Sequence, residues 1–163
     1  MSTIIDTLIT DRTQADAERV KALAAKGFAA MSAGERAEWL AGMKGAYNAA
    51  DLNRVGTALN YLAGRLGPIC GRSIPWTAKT DWAVTDIPTA SQAEAYRQQI
   101  QDIRDALAYP AGTPDAPQLA RLTCTGANEI ERILKLCEAL IVNVANSFRH
   151  TGAVECAAGG LLT

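Results

Sequence analysis

Residues 51–66 read DLNRVGTALNYLAGRL, and residues 129–144 read EIERILKLCEALIVNV. In both stretches apolar side chains recur every three or four residues, which is the spacing of an amphipathic α-helix. The two stretches therefore predict two long helices, each with a narrow apolar seam. The first seam comprises Leu52, Val55, Leu59, Leu62 and Leu66, and the second comprises Ile130, Ile133, Cys137, Leu140 and Val144.

The two stretches are separated by an offset of 78 residues, and a second pair of segments has the same offset. Residues 13–17 (TQADA) align with residues 91–95 (SQAEA) without a gap. A shared offset predicts two diverged copies of one unit, over residues 5–66 and 83–149. The predicted fold is an all-α, internally duplicated helical bundle made of two helical-hairpin-like units.

Helix starts are predicted where a hydroxyl or amide side chain precedes an acidic or amide residue by three positions. Such a side chain accepts a hydrogen bond from a free backbone N–H at the helix N-terminus. The predicted starts are Thr13 with Asp16, Ser32 with Glu35, Asn48 with Asp51, Ser91 with Glu94, and Thr125 with Asn128.

Proline and glycine interrupt the helical pattern between the copies and after the second copy. The linker contains Trp76 and Trp82 among its prolines and glycines, and the Gly/Ala-rich end of the chain is expected to leave the helical body. The predicted organisation is a first helical repeat at 1–66, an irregular linker at 67–88, a second repeat at 89–149 and a non-helical tail at 150–163.

Composition limits the classes of function. The 163 residues include 16 basic and 17 acidic side chains, for a formal net charge of −1. Such a balance argues against non-specific binding to nucleic acid, which depends on excess positive charge. No apolar run is long enough for a membrane span, and Met1 to Asp11 lacks the features of a signal peptide, so we expect synthesis in the cytoplasm.

Catalytic and metal-binding patterns are missing from the sequence. Cys70, Cys124, Cys137 and Cys156 form no C-x-x-C pair, and His150 is the only histidine. This favours reduced structural thiols, with Cys137 as a small buried hydrophobe, over a metal or redox site. Nucleotide-binding and hydrolase motifs are also missing. We therefore expect no cofactor, no metal and no enzymatic activity.

The carboxylates beside the second seam are interpreted as a solvated helix face. Glu129 and Glu131 flank the seam, and Glu131 lies four residues before Lys135, an ordinary surface pair. Small Gly56 and Ala63 stand at the positions where the second copy has Leu134 and Ile141, which predicts that the two seam helices interdigitate.

Two candidate partner surfaces follow. The rings of Trp76 and Trp82 could anchor a partner, although packing over the junction of the copies is the favoured interpretation. Leu134, Ile141 and Phe148 widen the stripe of the last helix, and such a surplus apolar face meets either the rest of the core or another subunit.

Several segments together resemble a known group of proteins. The resemblance lies in residues 11–16 (DRTQAD), 38–48 (EWLAGMKGAYN), 51–55 (DLNRV), 79–82 (KTDW) and 122–133. These segments are similar to small, uncharacterised proteins encoded among the tail and baseplate genes of phages and prophages of Gram-positive bacteria.

The resemblance implies a virion structural or adaptor protein in a tail fibre, baseplate or similar attachment. It implies self-association, with a trimer favoured because tail fibres commonly have that symmetry, and contacts with other tail proteins. The alternative is a soluble, prophage-encoded regulatory or host-interaction protein that binds one partner through the Trp-bearing linker.

Overall fold

The computed structural model describes residues 3–109 and 111–159, with side chains described as far as Ser147. The described residues form an all-α fold without strands, which confirms the predicted class. The helices are α1 (Gln14–Lys26), α2 (Ala33–Ala41), α3 (Ala49–Cys70), α4 (Ala90–Asp105) and α5 (Cys124–Gly159), with 3-10 turns at Ile4–Thr7, Phe28–Ala30 and Leu119–Arg121.

The main core lies between α3, α4 and α5, which we call the body. The two long helices α3 and α5 pack on each other, as predicted, and α4 packs across both. All five residues of the first seam are buried. In the second seam Leu140 and Val144 are only half-buried, and Leu134 and Ile141 are fully buried in their place.

The N-terminal segment, residues 3–12, packs against α3 and α5. Ile5 and Leu8 insert into the main core with 6% and 4% of their surfaces exposed. The segment then leads directly into α1, whose N-cap Thr13 forms the predicted capping box with Asp16. The segment thus fixes the point at which the chain leaves the body and enters α1.

The predicted caps of α2 and α3 are also confirmed, but two others are wrong. Helix α4 begins earlier than predicted, because Thr89 and Gln92 form a complete capping box ahead of Ser91. At the start of α5 the hydroxyl of Thr123, rather than that of Thr125, accepts from the Gly126 N–H at 3.1 Å.

The linker starts later than predicted. Helix α3 continues through Pro68 and ends at Cys70, where Gly71 adopts a left-handed φ of +65°. Proline removes one helical hydrogen bond, but Ile69 and Cys70 pack against the main core and hold the last turn in place.

An extended strap, residues 78–82, crosses α3. The Asn53 amide pairs with both backbone groups of Trp82, and the Asn60 amide pairs in the same way with Ala78, at 2.7–2.9 Å. Between them, a Cβ on Gly56 would overlap the carbonyl oxygen of Lys79. The small residue at position 56 therefore admits the strap and not Leu134 of α5, contrary to the interdigitation predicted there.

The predicted non-helical tail is wrong for residues 150–159, because α5 runs to Gly159. The segment contains no proline and includes three alanines, the residue with the highest helix propensity. Gly152 lowers this propensity without ending the helix.

Residues 13–47 fold beside the body as a smaller unit, which we call the lobe. It contains α1, the Phe28–Ala30 turn and α2. The lobe has its own apolar cluster of Leu23, Met31 and Met43, separate from the main core.

Candidate functional site

Four charged side chains form a largely buried cluster where the N-terminal segment meets α3 and α5. The Arg12 Nη2 atom lies 2.7 Å from Asp51 Oδ1 and 2.6 Å from Glu131 Oε1. The side chains of Arg12 and Glu131 are 1% and 0% exposed. We call the cluster of Arg12, Asp51, Arg54 and Glu131 the clasp.

Arg54 completes the clasp from one turn further along α3. It donates to Glu131 through Nε at 3.1 Å and through Nη2 at 2.8 Å, and it also pairs with Asp51. Two guanidinium groups therefore face two carboxylates, and the formal charges cancel. Such mutual pairing is what allows three of these ions to be buried beside the partly exposed Arg54, since an unpaired buried charge costs several kcal/mol.

The backbone of the N-terminal segment is held at the same place. The Ile9 N–H donates to Glu131 Oε2 at 2.5 Å, and Arg12 Nη1 donates back to the Ile9 carbonyl at 2.8 Å. The Asn128 amide pairs with both the N–H and the carbonyl of Arg12, at 2.9 and 2.8 Å. Asn128 and Glu131 of α5 thus bind the backbone of residues 9–12, which fixes the register of this segment.

A pair of tyrosines, of which Tyr96 is buried and Tyr47 is half-buried, lies beside the clasp. The hydroxyls of Tyr47 and Tyr96 are 2.6 Å apart, and the Arg12 guanidinium lies 5.6 Å from the centre of the Tyr47 ring. Burial raises the pKa of Tyr47 and of Tyr96 above the ordinary value. Both phenols therefore stay protonated at neutral pH and can serve as a hydrogen-bonded pair.

The clasp is suited to holding segments together. Burial alone would lower the pKa of Arg54, but its bonds to Glu131 and Asp51 outweigh burial and the pKa is raised. Both arginines are engaged by carboxylates inside the protein. The clasp is the structural junction of the N-terminal segment, α3 and α5.

A cleft of about 690 Å³ separates the lobe from the body. This volume is in the range of binding clefts, and most of the lining is apolar. Lobe residues on its wall include Val20, Trp39, Leu40, Met43 and Ala46, and body residues include Ala49, Leu52, Val84, Pro88, Leu119 and Leu122.

Large apolar side chains are exposed at the cleft. Leu40 and Val84 line it and are 74% and 97% exposed, and Ile87, next to the cleft residues Asp86 and Pro88, is 88% exposed. Exposed apolar groups gathered around one concave surface are typical of an interaction site. The cleft and these three side chains form the candidate site.

The structure places the predicted partner residues elsewhere. Leu134 and Ile141 are 0% exposed inside the chain, so the prediction that they offer a surface to a partner is wrong. They belong to the main core, where α5 packs against α3 and α4. Contact with the rest of the core was the first of the two outcomes predicted for the wide apolar stripe of the last helix. Phe148 lies outside the residues whose side chains are described.

The two linker tryptophans face inward. Trp82 is 8% exposed, and Trp76 is half-buried with its Nε1 donating to Asp102 at 2.8 Å. Both rings pack with the main core. Among the large apolar side chains of the linker, Val84 and Ile87 are the ones that are exposed to solvent.

Glu131 is the residue that sequence reasoning misplaced. It was expected on a solvated face with Lys135, yet its side chain is completely buried and bound by two arginines. One signal was present: Glu131 lies three residues before Leu134 and so shares a face with the apolar stripe. The identity of its partners had no comparable signal, because Arg12 is 119 positions away.

The described residues hold no cluster of three or more His, Cys, Asp or Glu side chains that could bind a metal ion. None of the described helices combines the length and apolar character needed to cross a membrane. The chain matches no known protein family, no curated protein and no solved structure.

Proposed function

We propose that this chain is a structural or adaptor component of a phage tail that acts by self-association and by contacts with other tail proteins. The phage assignment rests on the sequence resemblance. The observation that carries the mode of action is the cleft, where Leu40 and Val84 are exposed beside an apolar wall. Covering these side chains would remove apolar surface from water, the main driving force of protein association.

The occupant that we propose for the cleft is a second copy of the chain. The protruding apolar side chains of one copy can enter the concave apolar wall of the next copy, and such a head-to-tail contact can close into a ring. A trimer stays the favoured state because of the resemblance to tail proteins. The proposed role involves no catalysis, cofactor or metal.

Light scattering on the purified chain at tens of micromolar tests self-association. We expect an oligomer that Leu40→Asp and Val84→Asp each weaken, because a charge in an apolar interface must be desolvated. Val142→Asp is the matched control, since Val142 is also exposed, at 38%, but lies on α5 away from the cleft. A monomeric wild type, or an oligomer disrupted only by Val142→Asp, would contradict the proposed use of the cleft.

Mass spectrometry of purified phage particles tests the location. We expect peptides of this chain in particles that have been freed of host cytoplasm. Their absence, together with a monomeric chain, would favour the prophage-encoded regulatory or host-interaction protein. One observation supports that alternative as well: Val84 and Ile87 belong to the linker and are its most exposed apolar side chains.

A further inference from the structure

The lobe is held together by its own contacts. Besides its small apolar cluster, it contains ion pairs of Arg19 with Glu38 at 2.9 Å and of Lys26 with Glu35 at 2.7 Å. The backbone at Gly45 lies so close to Asp16 that a Cβ on Gly45 would overlap the Asp16 carbonyl. These contacts join the first helix, the second helix and the end of the lobe.

Contacts between the lobe and the body are concentrated at the base of the lobe. The clasp fixes Arg12, just before the lobe begins, and Tyr47, the last residue of the lobe, bonds to Tyr96 of α4. Among the described residues, two other polar contacts join the lobe to the rest of the chain. Lys44 of the lobe pairs with Asp11 at 2.8 Å, next to Arg12 at the base, and a long contact of 3.8 Å runs from Cys124 Sγ to Gln14.

Beyond this base, open space separates the two units. The cleft of about 690 Å³ lies on one side, and a second cavity of about 300 Å³ lies between α1 and the start of α5. Neither α1 nor α2 has an extensive interface with α3, α4 or α5. Packing therefore contributes little to holding the lobe closed, and the contacts at the base contribute most.

We infer that the lobe is a lid that opens as one unit from its base while the body stays folded. Three buried side chains, Leu23, Met31 and Met43, form too small a core to keep the detached lobe folded. Once detached, the lobe therefore unfolds, so that opening exposes the backbone amides of α1 and α2 together. Opening also uncovers the body side of the cleft, including Leu52 and Leu122. This inference goes beyond the proposed function and concerns the chain whether or not the cleft has an occupant.

Amide hydrogen exchange on the full chain, in low concentrations of denaturant and at low protein concentration, tests the lid. We expect α1 and α2 to share one opening equilibrium, at least about tenfold more open than that of the body helices. If α1 and α2 exchange only with the body helices, in a single global event, the inference is wrong. It is also wrong if the two lobe helices open at unrelated rates.

A matched pair of variants, each lacking one tyrosine hydroxyl, tests whether the lobe opens from its base. Tyr47→Phe removes the bond to Tyr96 at the base, whereas Tyr61→Phe removes a hydroxyl that bonds Arg65 and contacts Glu138 within the body. We expect Tyr47→Phe to raise lobe exchange by about tenfold, the usual scale for one lost buried hydrogen bond, with a much smaller change in the body. Equal increases in lobe and body for Tyr47→Phe, or a larger lobe effect for Tyr61→Phe, would overturn the inference.

Discussion

Helices α1 and α4 occupy matching places in the 78-residue alignment, yet they are packed differently. In α4 the side chains of Tyr96, Ile100 and Ile103 are almost completely buried in the main core. The aligned positions in α1 are Glu18, Ala22 and Ala25, and all three are exposed. The apolar face of α1 points instead into the lobe, through Leu23.

The packing of helices α3 and α5 agrees much better with the 78-residue alignment. Leu52 aligns with Ile130, Val55 with Ile133, and Leu59 with Cys137, and all six side chains are buried in one core. After these turns the buried face of α5 shifts to Ile141, which aligns with half-buried Ala63. The internal duplication therefore stays a prediction. Helices α1 and α3 align with α4 and α5, but α2 has no α-helical counterpart among the described residues between α4 and α5, and the packing of α1 and α4 does not support the duplication.

The contrast between lobe and body teaches that two helices at matching places in the alignment can pack in different cores. Where large apolar residues stand at the aligned positions, the helix belongs to the body. Where alanines stand instead, the helix depends on a small local cluster and on a polar base. Truncating core residues in each unit can break this comparison.

The largest difference is expected between Leu59→Ala and Leu23→Ala. Both remove a leucine side chain that is at most 1% exposed. Leu59→Ala should lower the free energy of global unfolding by about 2–5 kcal/mol, the usual range for a buried leucine. Leu23→Ala should act mainly on the lobe, so the denaturant midpoint followed by body probes should move far less. Equal shifts in the two variants would show that lobe and body unfold as one unit.

A smaller effect is expected at the strap. Gly56→Ala would place a Cβ against the Lys79 carbonyl and should destabilise the body by about 1–3 kcal/mol, as overpacking does. Gly64→Ala is the matched control on the same helix, because no atom lies within 4 Å of a Cβ there. The control should be stabilising by about 0.5–1 kcal/mol, since alanine favours a helix interior over glycine. Thermal unfolding of both variants measures whether each substitution raises or lowers the stability. A Gly56→Ala variant as stable as the wild type would mean that the strap shifts to admit the Cβ at little cost.

Sequence reasoning located the seams of α3 and α5 and three of the caps because both depend on spacing along one helix. It missed the clasp because Arg12, Asp51 and Glu131 come from three segments that meet only after folding. A buried Glu and an exposed Glu look the same in a helical repeat until the partner is known. The cleft was missed for a similar reason, since Leu40 and Val84 belong to separate non-seam segments.

The thiol of Cys137 sharpens the comparison of the two seams. Burial raises the pKa of Cys137 to about 12, and its Sγ lies 3.8 Å from the Ile103 carbonyl oxygen. We expect Cys137→Ala to cost less than Leu59→Ala, and Cys137→Ser to cost more than Cys137→Ala by about 1–3 kcal/mol, because serine buries a more polar group. Denaturant melts of the variants measure this order.

Thiol labelling provides a second measurement on the same residue. In the folded chain at pH 8, half-buried Cys70 and Cys124 should be alkylated before Cys137, which should react only on unfolding. Fast labelling of Cys137, or a stable Cys137→Ser variant that loses partner binding, would contradict its structural interpretation.

The smallest expected effect is a pH dependence confined to the lobe. Hydrogen bonds from Lys26 and from the backbone of Ser32 lower the pKa of Glu35 to about 2, against 4.5 ordinarily. Because the folded pKa is the lower one, the stabilisation by Glu35 is fully present above about pH 4.5 and is lost as the pH falls toward 2. Exchange of the lobe amides should therefore quicken over this range, modestly since surface pairs contribute little, and Glu35→Gln should remove that part of the pH dependence. An NMR titration of the carboxyl group measures the pKa directly, and a midpoint near 4.5 would show that neither the pair with Lys26 nor the bond from the Ser32 N–H forms in solution.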